Sequence, residues 1–422
     1  MSLIQRLQLI AIVCIAFTAS AVGQQALGRG DLVVRGNKIY TMAGPPIENG
    51  WISIKDGKIA AIGSGDVALA EGVRLLSAPV VTPGLIDART IVGLQGFQNE
   101  PRENDVIERS ASMQPELRAM DAFNGRERLL EWVRGFGITT IHTGFAPGAL
   151  VTGQSMVIKT RGPTVDDGLL KPDAMLCVTL GSDGLNRGEG GKAPGTRSKQ
   201  IAMLRQALIK AKEYAAKRDR PADKDDDDDE KKGAGSRDLG NEVLVRVLKK
   251  EMPLLIYAQR SQDISAALKL AEEFDLKIVL DGAAESYLLT DAIKSAAVPV
   301  IVHATLKRAN DEAENLSFET AGKLKAAGIP IAMQSGYEGY VPKTRVVLLE
   351  TAIAVANGLK FDDALAALTI EAARILGVAD RVGSIEVGKD ADLALFDGDP
   401  FEYTTRCTGT VIDGQVVHDE PR

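Results

Sequence analysis

Pro83-Gly84-Leu85-Ile86-Asp87-Ala88-Arg89-Thr90-Ile91 is the stretch on which the reading of this chain turns. A Pro-Gly pair leads into an apolar run, and the polar side chains that follow include one carboxylate and one guanidinium. Asp87 alone cannot hold a metal ion; its structural reading is a carboxylate that satisfies turn amides near a strand end. Arg89 stays charged and offers only hydrogen-bond donors, while Ile91 has no lone pair. Neither can replace a neutral imidazole toward a divalent cation.

On the N-terminal side, from Asp31 to Thr82, short apolar runs alternate with turn signals: Leu32-Val33-Val34, Trp51-Ile52-Ser53-Ile54, Asp56-Gly57, then Ile59 to Ile62. Asp-Gly between two alternating runs predicts a hairpin. The C-terminus repeats the style, with Leu393 to Phe396, Val411-Ile412, Asp413-Gly414 and Val416-Val417. Two strand-rich ends around a mixed middle predict one small sheet domain built from both termini. The middle alternates strand-like runs (Ile138 to His142, Met175 to Leu180, Leu254 to Ala258, Ile278 to Leu280, Val298 to Val302, Ile329 to Met333) with helix-like segments such as Ile264 to Phe274. That order predicts an α/β fold with parallel strands, as a barrel or a doubly wound sheet.

The 422 residues are 45% hydrophobic and 25% charged with a net charge of -7, an ordinary globular composition without the basic footprint of a nucleic-acid binder. Arg6, the apolar run Leu7 to Phe17, and small residues up to Gly23 read as a signal peptide over 1–23. An uncleaved anchor is the alternative, and the run is shorter than the roughly 20 residues a spanning helix needs. Export to the periplasm or the extracellular space is the expectation, with no membrane association after cleavage. Cys177 and Cys407 are expected to be buried and unpaired. Residues 219–238, with the acidic run Asp225 to Glu230, carry no apolar periodicity and read as a solvated insertion rather than a calcium loop.

Two blocks nearly 300 residues apart carry a family resemblance. The opening stretch is similar to the amidohydrolase superfamily turn P-G-x-I-D-x-H-x-H, and the segments Ala367 to Gly377 and Val382 to Leu393 resemble that superfamily's ending. The similarity runs from about Asp31 to His418 and points to the imidazolonepropionase-like branch, with Gly153-Gln154-Ser155 in a loop and Pro194-Gly195-Thr196-Arg197 before a helix. The resemblance implies a (β/α)8 barrel over 83–379 and a composite β-sandwich over 31–82 and 380–418. It also implies metal ligands at several strand ends. By this resemblance the first-strand histidines fall on Arg89 and Ile91. The fourth-strand carboxylate or lysine falls on Ser182, beside Asp183. The fifth-strand pattern falls on Tyr257-Ala258-Gln259, the sixth-strand histidine on Gly282 beside Asp281, and the eighth-strand catalytic aspartate near Ser335.

The chain has three histidines. His418 reads as a surface residue, whereas His142 and His303 each end a predicted strand. Each has a structural reading as a hydrogen-bonded imidazole, and a rewired metal site with Asp183 or Asp281 is the alternative. Arg89, Arg197, Arg260 and Lys307 either form salt bridges with Asp87, Asp183, Asp263 and Asp281 or make a basic pocket for an anion. No nucleophile with an activating base stands out. The expectation is an exported, degenerate amidohydrolase-like protein without a cofactor that binds a small molecule or a partner; a hydrolase of C–N bonds using Zn2+ is the alternative. Self-association and pairing with an active homologue stay open, and nucleic acid is not expected.

Overall fold

The computed structural model describes residues 32–97, 100–186, 193–219, 237–337 and 347–421. The expected signal peptide over 1–23 and the acidic run lie outside them.

Four strands come first: β1 (Leu32–Ile39), β2 (Ile47–Lys55), β3 (Lys58–Ser64) and β4 (Arg74–Pro83). β2 and β3 form the hairpin at Asp56-Gly57, whose turn residues have φ of 51° and 77°. Positive φ at both places matches the turn to the twist of its strands. β1 pairs with β2 antiparallel and with β4 parallel. At Gly84 the chain leaves this sheet, and a Cβ there would lie 2.1 Å from Thr139 Oγ1. Glycine is what lets the backbone pass so closely.

The central strands are β5 (Leu85–Thr90), β6 (Ile138–Thr143), β7 (Val151–Gln154), β8 (Met156–Lys159), β9 (Leu169–Lys171), β10 (Leu176–Thr179), β11 (Leu254–Ala258), β12 (Ile278–Gly282), β13 (Val300–Val302) and β14 (Ile331–Ala332). Helices α1 (Arg128–Arg134), α2 (Arg197–Arg218), α3 (Leu239–Leu248), α4 (Ser261–Phe274), α5 (Thr290–Ser295), α6 (Thr320–Ala326), α7 (Val347–Ala356), α8 (Phe361–Ala367) and α9 (Ile370–Leu376) alternate with them or follow. β10 to β14 pair parallel in chain order, as do β5 and β6. These strands are buried along their whole length, which a sheet covered by helices requires. α4 supplies such cover with Ile264, Ala267 and Leu270 on one face.

The expectation of parallel strands fails between β6 and β10. Residues 151–159 run antiparallel to both neighbours: β7 pairs with β10, and β8 with β6. Gly153 and Gln154 therefore lie in a strand rather than a loop. Ser155 interrupts the run, its N–H donating to the Met175 carbonyl at 2.9 Å and its carbonyl accepting from Ala174 N–H at 2.7 Å. Across the other boundary Ile86 N–H donates to Leu368 and Ala88 N–H to Met333, at 2.8 and 3.1 Å. The central sheets thus share backbone bonds on both sides.

β15 (Leu393–Phe396), β16 (Cys407–Ile412) and β17 (Gln415–His418) return to the first sheet, where β15 pairs antiparallel with β4. The order β17-β16-β15-β4-β1-β2-β3 brings both ends of the chain into one seven-stranded sheet. Val34, Ile52, Val81, Leu393 and Val411 share its core. His418, at the end of β17, is half-buried rather than fully at the surface. Cys177 and Cys407 are both buried and free. Among the described residues no helix is long and apolar enough to cross a membrane.

The two parts meet at one buried ion cluster. Lys159, 1% exposed, places Nζ 2.8 Å from Asp390, 3.0 Å from Asp392 and 2.5 Å from Asp413. Burial works against the ammonium, but Asp392, Asp413 and Asp390 outweigh it and raise its pKa. Removing the cation leaves Asp392 buried without a counter-charge, at about 3–5 kcal/mol, whereas Asp390 keeps Lys58 and Arg381, and Asp413 keeps Arg161. Lys159→Met is therefore expected to lose stability on that scale in urea unfolding; a loss under about 1 kcal/mol would show the cluster to be incidental.

Candidate functional site

A cavity of about 420 Å³ opens where β11 to β14 end. Tyr257, Gln259, His303, Gln334, Ser335 and Tyr337 line its polar side, Val106, Ile107 and Ala146 its apolar side, and Asp183 and Lys307 also face it.

Beneath it lies Arg89, 1% exposed. Its Nε donates to the Tyr337 hydroxyl at 2.9 Å and lies 3.6 Å from Asp281 Oδ2. Nη2 donates to the Phe145 carbonyl and sits 3.7 Å from Cys177 Sγ; Nη1 reaches the Thr90 carbonyl at 3.4 Å. The guanidinium also stacks on Tyr337, 4.9 Å from the ring centre. Gly144 makes room for it, since a Cβ there would come within 3.2 Å of Nη1. Asp281 closes the arrangement, accepting from the Tyr337 hydroxyl and from Gln334 Nε2 at 2.8 Å. Burial raises the Asp281 carboxyl pKa, opposed first by Arg89 and then by Gln334.

Asp87 and His142 face the scaffold. Asp87 accepts from the N–H groups of Arg89 and Ser335 at 3.3 and 3.1 Å, and from the Ser335 hydroxyl at 2.5 Å. Burial pushes its carboxyl up to about 7 against those bonds. His142 Nδ1 lies 2.7 Å from the Ala88 carbonyl and so carries the proton, leaving Nε2 to accept from Ser155 Oγ at 2.7 Å. Both nitrogens are used within the fold.

His303 lines the cavity. Its Nδ1 donates to the Ala304 carbonyl at 3.0 Å, and the Ser317 backbone also hydrogen-bonds the buried ring. Tyr257 accepts from Lys307 Nζ at 3.4 Å and meets Tyr337 edge-on, ring centres 5.7 Å apart; burial drives its phenol pKa up. Gln259 Oε1 accepts from Ala284 N–H at 3.0 Å. Ser182 is not in the cavity wall, and its N–H donates to Glu312 at 3.2 Å. Arg197 binds Asp263 at 2.9 Å and Glu312 at 2.7 Å, and Arg260 binds Glu314 at 2.8 Å. The basic residues near this mouth are thus largely engaged in ion pairs.

These side chains do not fit a divalent cation. The position beneath the cavity is taken by a guanidinium, and among the described residues no group of three or more His, Cys, Asp or Glu is placed to hold a metal ion. Tyr337 was not found from the sequence, because it meets Arg89 across 248 residues. The signal available was an aromatic residue directly after the turn glycine Gly336.

Arg89→Met leaves Asp281 buried without its cation and is expected to cost about 3–5 kcal/mol in urea unfolding, whereas Arg89→Met with Asp281→Asn is expected to recover most of that. Equal losses in the single and double variants would contradict the pairing. Burial holds His142 down to about 3 and His303 to about 4. Unfolded, each takes up a proton near its ordinary 6.5, so stability falls as pH drops from 6.5 toward these folded values and stops falling below them. In 15N NMR both imidazoles should remain neutral, with the proton on Nδ1, at pH 5; titration of either near 6.5 would refute its buried assignment.

Comparison with known proteins agrees with this architecture. A model of the amidohydrolase family matches residues 295–418. The amidohydrolase tasK of Hapsidospora irregularis is 24% identical over 413 residues, 89% of this chain, and the match spans only 40% of tasK. The imidazolonepropionase of Rhizorhabdus wittichii is 26% identical over 393 residues, covering 87% of this chain and 94% of that protein. The crystal structure of an amidohydrolase from Thermotoga maritima superposes with a TM-score of 0.85 at 28% identity, over 92% of this chain and all of that one. Sequence and fold agree that this chain belongs to the amidohydrolase superfamily, on its imidazolonepropionase-like branch.

Proposed function

We propose that this chain is a metal-independent, non-catalytic, small-molecule-binding member of its superfamily, in which Arg89 supplies from within the chain the positive charge that a divalent cation supplies in metal-dependent relatives. One observation carries this reading: the guanidinium is buried beneath the cavity with Asp281 and Tyr337 closed around it. A bound cation at that place would face fixed positive charge and too few lone pairs. We also read the central sheets as one (β/α)8 barrel whose third stave is the antiparallel run 151–159. The backbone bonds at Ser155, Ile86 and Ala88 support that closure. The terminal strands over 31–82 and 380–418 are read as one composite domain built on the seven-stranded sheet rather than on the two sheets of a sandwich.

The second reading is a hydrolase of C–N bonds. It is favoured by the names of the relatives, amidohydrolase and imidazolonepropionase, and by the neutral imidazole of His303 at the cavity. Zinc titration by calorimetry separates the two. Neither the natural chain nor Arg89→His with Ile91→His is expected to bind zinc in the nanomolar range, because Tyr257, Gly282 and Ser335 still stand at the remaining strand ends. Nanomolar zinc on the natural chain, with chelator-sensitive amide hydrolysis, would establish the hydrolase.

A further inference from the structure

The terminal sheet carries a second cavity, of about 530 Å³. Its place follows from the strand order: β3 lies at one edge and β4 on the far side of β1, so residues 65–73 must cross β2 and β1 to join them. They cross the face that carries Arg35. Gly36 turns its Cβ side toward the sheet's core, where an added carbon would lie 2.9 Å from Ile39 and from Val81, so its neighbours Arg35 and Asn37 point the other way. The crossing chain is held on that face by Gly65 N–H, which donates to the Asn49 carbonyl at 2.9 Å, and by Arg35 Nη2, which reaches the Val67 carbonyl at 3.4 Å. Arg35 pairs in register with Ser77, and the pairs on either side of Asn37 set it opposite Asn49. Arg35, Asn37, Asn49, Asp66 and Ser77 thus ring one polar hollow. Two opposite charges line it without meeting: among the described residues neither Arg35 nor Asp66 forms an ion pair, and Arg35 Nε is buried with no partner. A guanidinium nitrogen only donates, so only an acceptor can meet it, and until one does the buried N–H bears its full desolvation cost.

We propose that this cavity of the terminal sheet binds free α-amino acids as zwitterions, the carboxylate on Arg35 and the ammonium on Asp66, with Asn37, Asn49 and Ser77 offering hydrogen bonds beside them. A simple anion would be repelled by Asp66 and a simple cation by Arg35, whereas a ligand with both charges on one carbon answers each of them. The flat guanidinium fork suits a carboxylate in particular, since its donors match the two oxygens. Binding here requires nothing of the cavity where the central strands end, so it holds whether or not the chain hydrolyses a substrate there.

The test titrates the full-length chain with L-alanine, propionate and ethylamine, which carry both charges, the negative charge alone and the positive charge alone. Alanine is expected to bind at least about tenfold more tightly than either other probe and to move the Arg35 Nε–H resonance in 15N NMR. Asp66→Asn, at an exposed position, should bring alanine down to the affinity of propionate, and Arg35→Met should bring it down to that of ethylamine. Should the Arg35 variant not fold, Asp66→Asn and the three probes still decide. Propionate binding as well as alanine, alanine binding that survives both substitutions, no binding of alanine, or an unmoved Arg35 resonance would each overturn the inference.

Discussion

The architecture of the site depends on one buried charge and what surrounds it. A guanidinium that is 1% exposed survives only where its donors are met and its charge is opposed, and Arg89 has both. Phe145 and Thr90 offer carbonyls, Tyr337 offers a hydroxyl and a ring face, and Asp281 offers charge. Three separate segments, besides its own strand, therefore converge on a single side chain. The guanidinium holds them as a cross-link would, and it fixes where Gln334 and Tyr337 stand in the cavity above.

The consequences run outward along hydrogen bonds. Asp281 is held by Arg89, Tyr337 and Gln334 together, so the Gln334 amide has one orientation and its oxygen faces the cavity unopposed. On the other side, Asp87 ties the backbone of Arg89 to Ser335. At the opposite edge of the central strands a second buried cation, Lys159, gathers Asp390, Asp392 and Asp413. The two cations serve different joints: Arg89 closes the mouth, and Lys159 fastens the terminal sheet to the central one.

Much of the scaffold was readable from local chemistry. Asp56-Gly57 and Asp413-Gly414 announced hairpins because few residues accept positive φ at both turn positions. The apolar runs at Leu254 and Ile278 announced buried parallel strands because both faces had to be covered. The antiparallel run 151–159 was not readable, since strand direction is set by partners far away in sequence. Within the site, Arg89 was conspicuous by its residue type, and pairing with Asp281 was among the readings that type allowed. Tyr337 and Gln334 were invisible because their role exists only once the ends of β5, β12 and β14 are brought together in the fold. The sequence also put His142 and His303 in the same place, each at a strand end. Only their partners tell them apart: His142 meets Ala88 and Ser155, whereas His303 meets the backbone of Ala304 and Ser317 and lines the cavity.

The most direct test is crystallographic. Crystals of the chain grown with excess zinc, measured on both sides of the zinc absorption edge, locate any ion without reference to side-chain density. With Arg89 serving as the resident cation, the guanidinium remains between Asp281 and Tyr337 and no anomalous peak appears beneath the cavity. A zinc peak there, coordinated by Asp281 or His303 with Arg89 swung aside, would contradict it.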